Sequence, residues 1–276
     1  MNTTQEIEES LRKHVHGSYF SSRLGLIVIG IMLPIILYAG GLLFNTKLQP
    51  SFSQYYHTSM RNVFVGLLFS TAAVLYLYKG FSEKENIALN VASIFLLVVA
   101  LVPTSITIDN QNKLVGNSVA LKSTNTALVS HQTTVDSVPK TTKAVPSSKF
   151  EKYSPYMHGM AAILFFLCVA YVCFFRTKDT FELFEDPKTK KTFKRQYLIS
   201  GALMIILPTL VVVVELFDRS GSQVDQWHPV FWLELVAVWA FAFYWWIKSR
   251  EFKHHLSEKD MPQFLHSLAR RKAKSA

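Results

Sequence analysis

Apolar residues gather into six blocks of about 20 along this chain, and the polar segments between them carry most of the charge. A helix of about 20 residues rises about 30 Å, enough to cross the hydrocarbon core of a bilayer. The blocks lie near 24–44, 60–78, 87–103, 156–175, 197–217 and 229–247. The pattern predicts an all-α membrane protein with six transmembrane helices and a long extracytoplasmic loop between helices three and four. The chain divides into a cytoplasmic N-terminal segment (1–23), helices one to three (24–103), the loop (104–154), helices four to six (155–248) and a basic cytoplasmic tail (249–276).

The second block is the most informative. Tyr55, Tyr56, His57, Ser59, Arg61 and Asn62 precede its apolar run, and Tyr76, Tyr78 and Lys79 follow it. Aromatic and basic residues at both ends of an apolar run mark the two water–lipid interfaces. Pro34 and Pro208 fall inside spans one and five, where proline bends a helix. Asn90 and Ser93 share a face of span three, as residues that link helices do. Ile7, Leu11 and Val15 recur every fourth residue, which fits a short surface helix or, equally, a solvated tail. Alternating residues at 105–109 and 114–121 hint at short strands, and 133–148 reads as linker. The loop holds no Asn-x-Ser/Thr acceptor, which favours a bacterial source. In the tail, Asp260-Met261-Pro262 opens a helix with Phe264, Leu265 and Leu268 on one side and Arg270, Arg271 and Lys272 opposite, suited to lying on the membrane.

Composition adds orientation. Only 17% of residues are charged, and the net charge is +10. The basic residues flank the apolar blocks, which points to topology control and anionic headgroups rather than nucleic acid. Of the 29 lysines and arginines, 20 fall on the side that holds both termini. The positive-inside rule therefore places both termini in the cytoplasm and the protein in the bacterial inner (plasma) membrane. Cys168 and Cys173 lie in one block on different helix faces, so neither a disulfide nor a shared metal is expected. The polar first 23 residues lack the apolar core of a cleavable signal peptide.

This topology sets several ionisable residues at one depth near the outer face. They are His57 and Arg61 on span two, His158 on span four, Glu215 and Asp218 on span five, and His228 and Glu234 on span six. Charged residues within spans usually face the bundle interior and mark function. One reading is an ion-pair or ligand cluster of Tyr55, Tyr56, Ser59, Arg61, Glu215 and Glu234, with a structural or ligand-sensing role. Arg61 would find its anion in Glu215 or Glu234. A second reading is a zinc site of His57, His158, His228 and Asp218, whose activated water would hydrolyse a lipid. A third is a transporter. The pattern holds no phosphate-binding glycine loop, no repeated halves and no arginine ladder. A homo-oligomer or a membrane partner is compatible with any of these readings.

The run Tyr55-Tyr56-x-Thr58-x-x-Arg61-x-x-Phe64-Val65-Gly66 resembles a motif of uncharacterised bacterial six-helix integral membrane proteins. The similarity extends through Glu85-Asn86 and Asn90 to Val102-Pro103, and to Phe231-Trp232-Leu233-Glu234 and Trp246-Ile247-Lys248, about half the chain. It implies a six-helix topology and marks Arg61 and Glu234 as recurrent features, without an activity. A more distant likeness is to ceramidase-type and adiponectin-receptor-type membrane hydrolases, which carry intramembrane His, Ser and Asp. This chain departs from them in having six spans and no paired histidines in the last.

Overall fold

The computed structural model describes residues 3–44, 46–104, 149–176, 186–218 and 228–255. Six α-helices account for most of them. They are α1 (Thr3–Leu43), α2 (Arg61–Leu77), α3 (Glu83–Leu101), α4 (Lys149–Tyr171), α5 (Pro187–Asp218) and α6 (Pro229–His255). A 3-10 turn, Ser53–His57, precedes α2, and a π turn, Val172–Arg176, continues α4. No strand occurs among the described residues. The expected strands of the loop and the surface helix of the tail lie outside them.

Within these helices five stretches are long and apolar enough to cross a membrane: Gly17–Leu43, Glu83–Leu101, Tyr153–Arg176, Pro187–Phe217 and Pro229–Lys253. The apolar helix α2 is shorter, at 17 residues. It rises about 25 Å at 1.5 Å per residue, a little under the usual hydrocarbon thickness.

The helices pack in chain order, each on the next, and α6 closes against α1. The interior divides into two apolar clusters. One surrounds Leu26, Leu75, Leu89, Val169, Tyr197, Tyr244 and Trp245. The other, towards the start of α2, gathers Leu33, Leu37, Phe52, Tyr55, Met60, Phe64 and Phe231. The closing seam uses small residues. A Cβ on Gly30 of α1 would stand 3.0 Å from the Ala242 Cβ of α6, so the two backbones approach as closely as side chains allow.

Three boundaries differ most from the hydropathy blocks. The N-terminal segment does not form a separate surface helix, because α1 runs unbroken from Thr3 into span one. Helix α5 begins ten residues before block five, at Pro187. There the Asp186 carboxylate accepts the Lys188 and Thr189 N–H groups (3.1 and 2.9 Å), and proline takes the first helical position. Helix α6 continues to His255. Hydropathy stops at the first charges, whereas an established helix propagates at little cost through charged residues of good propensity.

The α2–α3 turn is the tightest connection. Ser82 Oγ accepts the Glu85 N–H (3.3 Å), while Glu85 Oε2 accepts the N–H of Phe81 (2.9 Å). This is a capping box shifted by one residue. A Cβ on Gly80 would lie 2.7 Å from Glu85 Cγ, so only glycine lets Glu85 fold back over the turn.

Candidate functional site

Two polar groupings emerge, one at each end of the bundle. The first is the predicted cluster around the start of α2. The segment before α2 is not a loop over the surface: Gln49, Ser51, Phe52, Ser53, Gln54 and Tyr55 are all buried. Phe52 packs edge-on against Phe231 at 4.9 Å, and its N–H donates to Glu234 Oε2 at 2.5 Å. Glu234 thus anchors the turn that carries Tyr55, Tyr56 and His57.

The sequence-predicted residues separate into small groups. Tyr55 belongs to the apolar core. Ser59 is exposed and shares a hydrogen bond with Thr46 (3.2 Å). Tyr56 and Arg61 come together: the guanidinium lies 4.3 Å from the ring centre, and Nη2 donates to the hydroxyl at 2.7 Å. The expected ion pair of Arg61 with Glu215 or Glu234 is absent among the described residues, because Glu234 already holds the Phe52 N–H and Arg61 turns outward onto Tyr56. Glu215 is exposed on α5.

Two of the three histidines bond backbone carbonyls, each through one ring nitrogen. His57 Nε2 bonds the Thr104 carbonyl (2.9 Å) and His158 Nδ1 the Val102 carbonyl (2.7 Å). These carbonyls follow the end of α3, where backbone acceptors lack intrahelical donors. His228 precedes α6 with φ 46°, and its Nδ1 is buried without a partner among the described residues. The side chain of Asp218 lies outside them. Among the described residues no group of three or more His, Cys, Asp or Glu could hold a metal ion.

Burial holds His57 below its ordinary pKa of 6.5, outweighing the bond to the Thr104 carbonyl, and the Arg61 charge adds to the fall. The folded state therefore favours the neutral ring. Its contribution to stability is full above pH 6.5 and is lost as pH falls towards the lower folded value. A melting-temperature series from pH 7.5 to 5 is expected to decline in this window, and less steeply in His57→Gln. An identical decline in the variant would remove His57 as the cause.

Below Arg61 runs a groove of about 480 Å³, lined by Tyr56, Arg61, Val65, Gly66, Phe69 and Leu101 among others. Arg61, Val65 and Phe69 recur every fourth residue, as do Asn62, Gly66 and Ser70, so both rows stand on successive turns of one face. Ser70 satisfies itself on the Gly66 carbonyl (2.8 Å), leaving an apolar trough beneath a cation.

The second grouping is at the opposite end and is fully internal. Arg23 of α1 donates from Nε and Nη2 to the Tyr78 hydroxyl (3.1 and 2.6 Å) and from Nη1 to the Lys248 carbonyl (3.0 Å). Its guanidinium lies 4.4 Å from the Phe252 ring centre. Lys248 Nζ of α6 pairs with Glu85 Oε1 of α3 at 2.5 Å. The Tyr197 hydroxyl of α5 donates to Glu251 Oε2 of α6 at 2.5 Å. Arg23, Glu85, Lys248 and Glu251 are each no more than 3% exposed. Two cations and two anions cancel, which is the condition for keeping charge in an apolar interior. The network joins α1, α3, α5 and α6 through the end of α2, and it offers no open face to a ligand.

Sequence reasoning missed this network. In the sequence Arg23 and Lys248 look like interfacial flanking charges. The available signal was Ser82-x-x-Glu85 together with single opposite charges at the same end of α1, α3 and α6.

No family model, curated protein or solved structure matches the chain.

Proposed function

We propose that this chain is a six-span integral protein of the bacterial inner membrane, with α2 as the sixth crossing and both termini in the cytoplasm. Its outward end carries a ligand pocket built on Arg61, in a sensing or binding role rather than a catalytic one. The observation that carries the reading is Arg61 itself. An exposed guanidinium heads an apolar groove, is held in place by the Tyr56 ring and hydroxyl, and faces no carboxylate among the described residues. A cation fixed in this way is prepared for an anion from outside the chain. The anchoring of the turn by Glu234 supports it, since one of the two carboxylates expected to neutralise Arg61 bonds the Phe52 N–H instead.

The orientation is supported by Lys79, Lys84, Lys188, Lys190, Lys191, Lys194 and Arg195, all at the end of the bundle opposite Arg61. Those residues suit the anionic headgroups of the cytoplasmic leaflet. Lipid hydrolysis by His57, His158, His228 and Asp218 draws no support from the described geometry, because among the described residues no three His, Cys, Asp or Glu side chains gather as metal ligands.

The test is to extract and profile the small molecules that accompany the detergent-purified protein. The wild type is expected to retain a species that Arg61→Gln loses at least severalfold. Equal profiles for the two would overturn the pocket.

A further inference from the structure

We infer that the Arg61 groove takes one phospholipid of net negative headgroup from the outer leaflet. The headgroup sits on Arg61 and an acyl chain lies along α2 towards Phe69. This rests on the pocket reading above and names its ligand class.

Three features fit such a molecule and not a small soluble anion. First, the site is amphipathic along one line. Arg61 and Asn62 stand at the head, with Val65, Gly66 and Phe69 below them, and Leu101 of α3 walls the side. From Arg61 to Phe69 the helix rises about 12 Å, so the trough follows a chain lying parallel to α2. Second, the floor is open. A Cβ placed on Gly66 meets nothing within 4 Å, in contrast to Gly30, whose missing side chain is filled by Ala242. Gly66 is therefore not a helix-packing glycine, and its absent side chain deepens a surface that α3 does not cover. Third, the charge is complementary. Arg61 uses Nη2 on the Tyr56 hydroxyl, and the planar fork that remains matches the paired oxygens of a phosphate. Its outward aim places that fork at headgroup level if α2 crosses the membrane.

The measurement is native mass spectrometry of the full chain in detergent. It is titrated separately with phosphatidylglycerol, with phosphatidylcholine of the same chains, and with a total small-molecule extract of the source membrane and cytosol. Two variants accompany the wild type. Arg61→Gln removes the charge, and Gly66→Leu fills the trough at a site where a side chain has space. The wild type is expected to bind phosphatidylglycerol about tenfold more tightly than phosphatidylcholine. Arg61→Gln should bring the two lipids to parity, and Gly66→Leu should weaken both. If phosphatidylglycerol shows no advantage, but the extract gives an adduct lost in Arg61→Gln, the pocket stands and the lipid assignment falls. If neither lipid nor extract gives any adduct sensitive to Arg61→Gln, both fall. Full binding of phosphatidylglycerol to Gly66→Leu would also overturn the acyl-chain path.

Discussion

Glu85→Ala is expected to lower the stability of the folded protein by about 3–5 kcal/mol, the cost of leaving a buried partner charge uncompensated. Lys248 is 2% exposed and would then hold its ammonium without the carboxylate it pairs with. The same substitution frees the Phe81 N–H, which Glu85 Oε2 accepts at 2.9 Å. Glu85→Gln separates the two effects, since its amide oxygen can still accept from Phe81 while the charge is gone. Lys248→Met alone strands Glu85 in the same way. The double variant Glu85→Gln/Lys248→Met, which removes both charges and keeps volume, should recover most of the loss, because an intact buried pair adds little net stability. Reversible denaturation in mixed micelles would provide the cycle. Single variants within about 0.5 kcal/mol of wild type, the usual range for surface substitutions, would mean that the pair is solvated rather than internal.

Trp245→Ala is expected to cost a further comparable amount, about 3–5 kcal/mol. Trp245 is fully buried on α6 and packs edge-on against Tyr78 at 4.8 Å and Tyr244 at 5.1 Å. It therefore bridges the apolar core and the charged network, since Tyr78 receives Arg23. Trp245→Phe should cost far less. It keeps an aromatic face for Tyr78 and removes an indole N–H that is buried without a partner among the described residues. Thermal unfolding of the three proteins side by side checks the order. A phenylalanine variant as damaged as the alanine one would show that the full indole volume, and not an aromatic face alone, holds the site.

The helices were legible because lipid imposes one strong rule: backbone polar groups must be satisfied within each segment, so apolar blocks become helices. Their ends were not, since Thr3 and Pro187 are fixed by helix propagation and by the Asp186 cap rather than by hydropathy. At the Arg61 end, the sequence placed Tyr56, Arg61, His57 and Glu234 near one another but could not assign partners. Glu234 was matched to Arg61 by charge, whereas it bonds the backbone of Phe52, a residue with no visible polar role. The two histidines followed the same course, drawn to the free carbonyls after α3. At the Glu85 end, two of the charges that enter the orientation count are also buried partners. Counting gives a sign for each side but no distance between Lys248 and Glu85.

The central claim is that α2 crosses the membrane, with Arg61 outside and the Glu85 network inside. The direct measurement is labelling of single cysteines with a membrane-impermeant maleimide in spheroplasts, after replacing Cys168 and Cys173 with alanine. Ser59 and Glu83 are both exposed and lie just beyond opposite ends of α2. Ser59→Cys is expected to label in intact spheroplasts, and Glu83→Cys only after permeabilisation. Labelling of both from the same side would contradict the crossing and, with it, the placement of the Arg61 pocket at the outer surface.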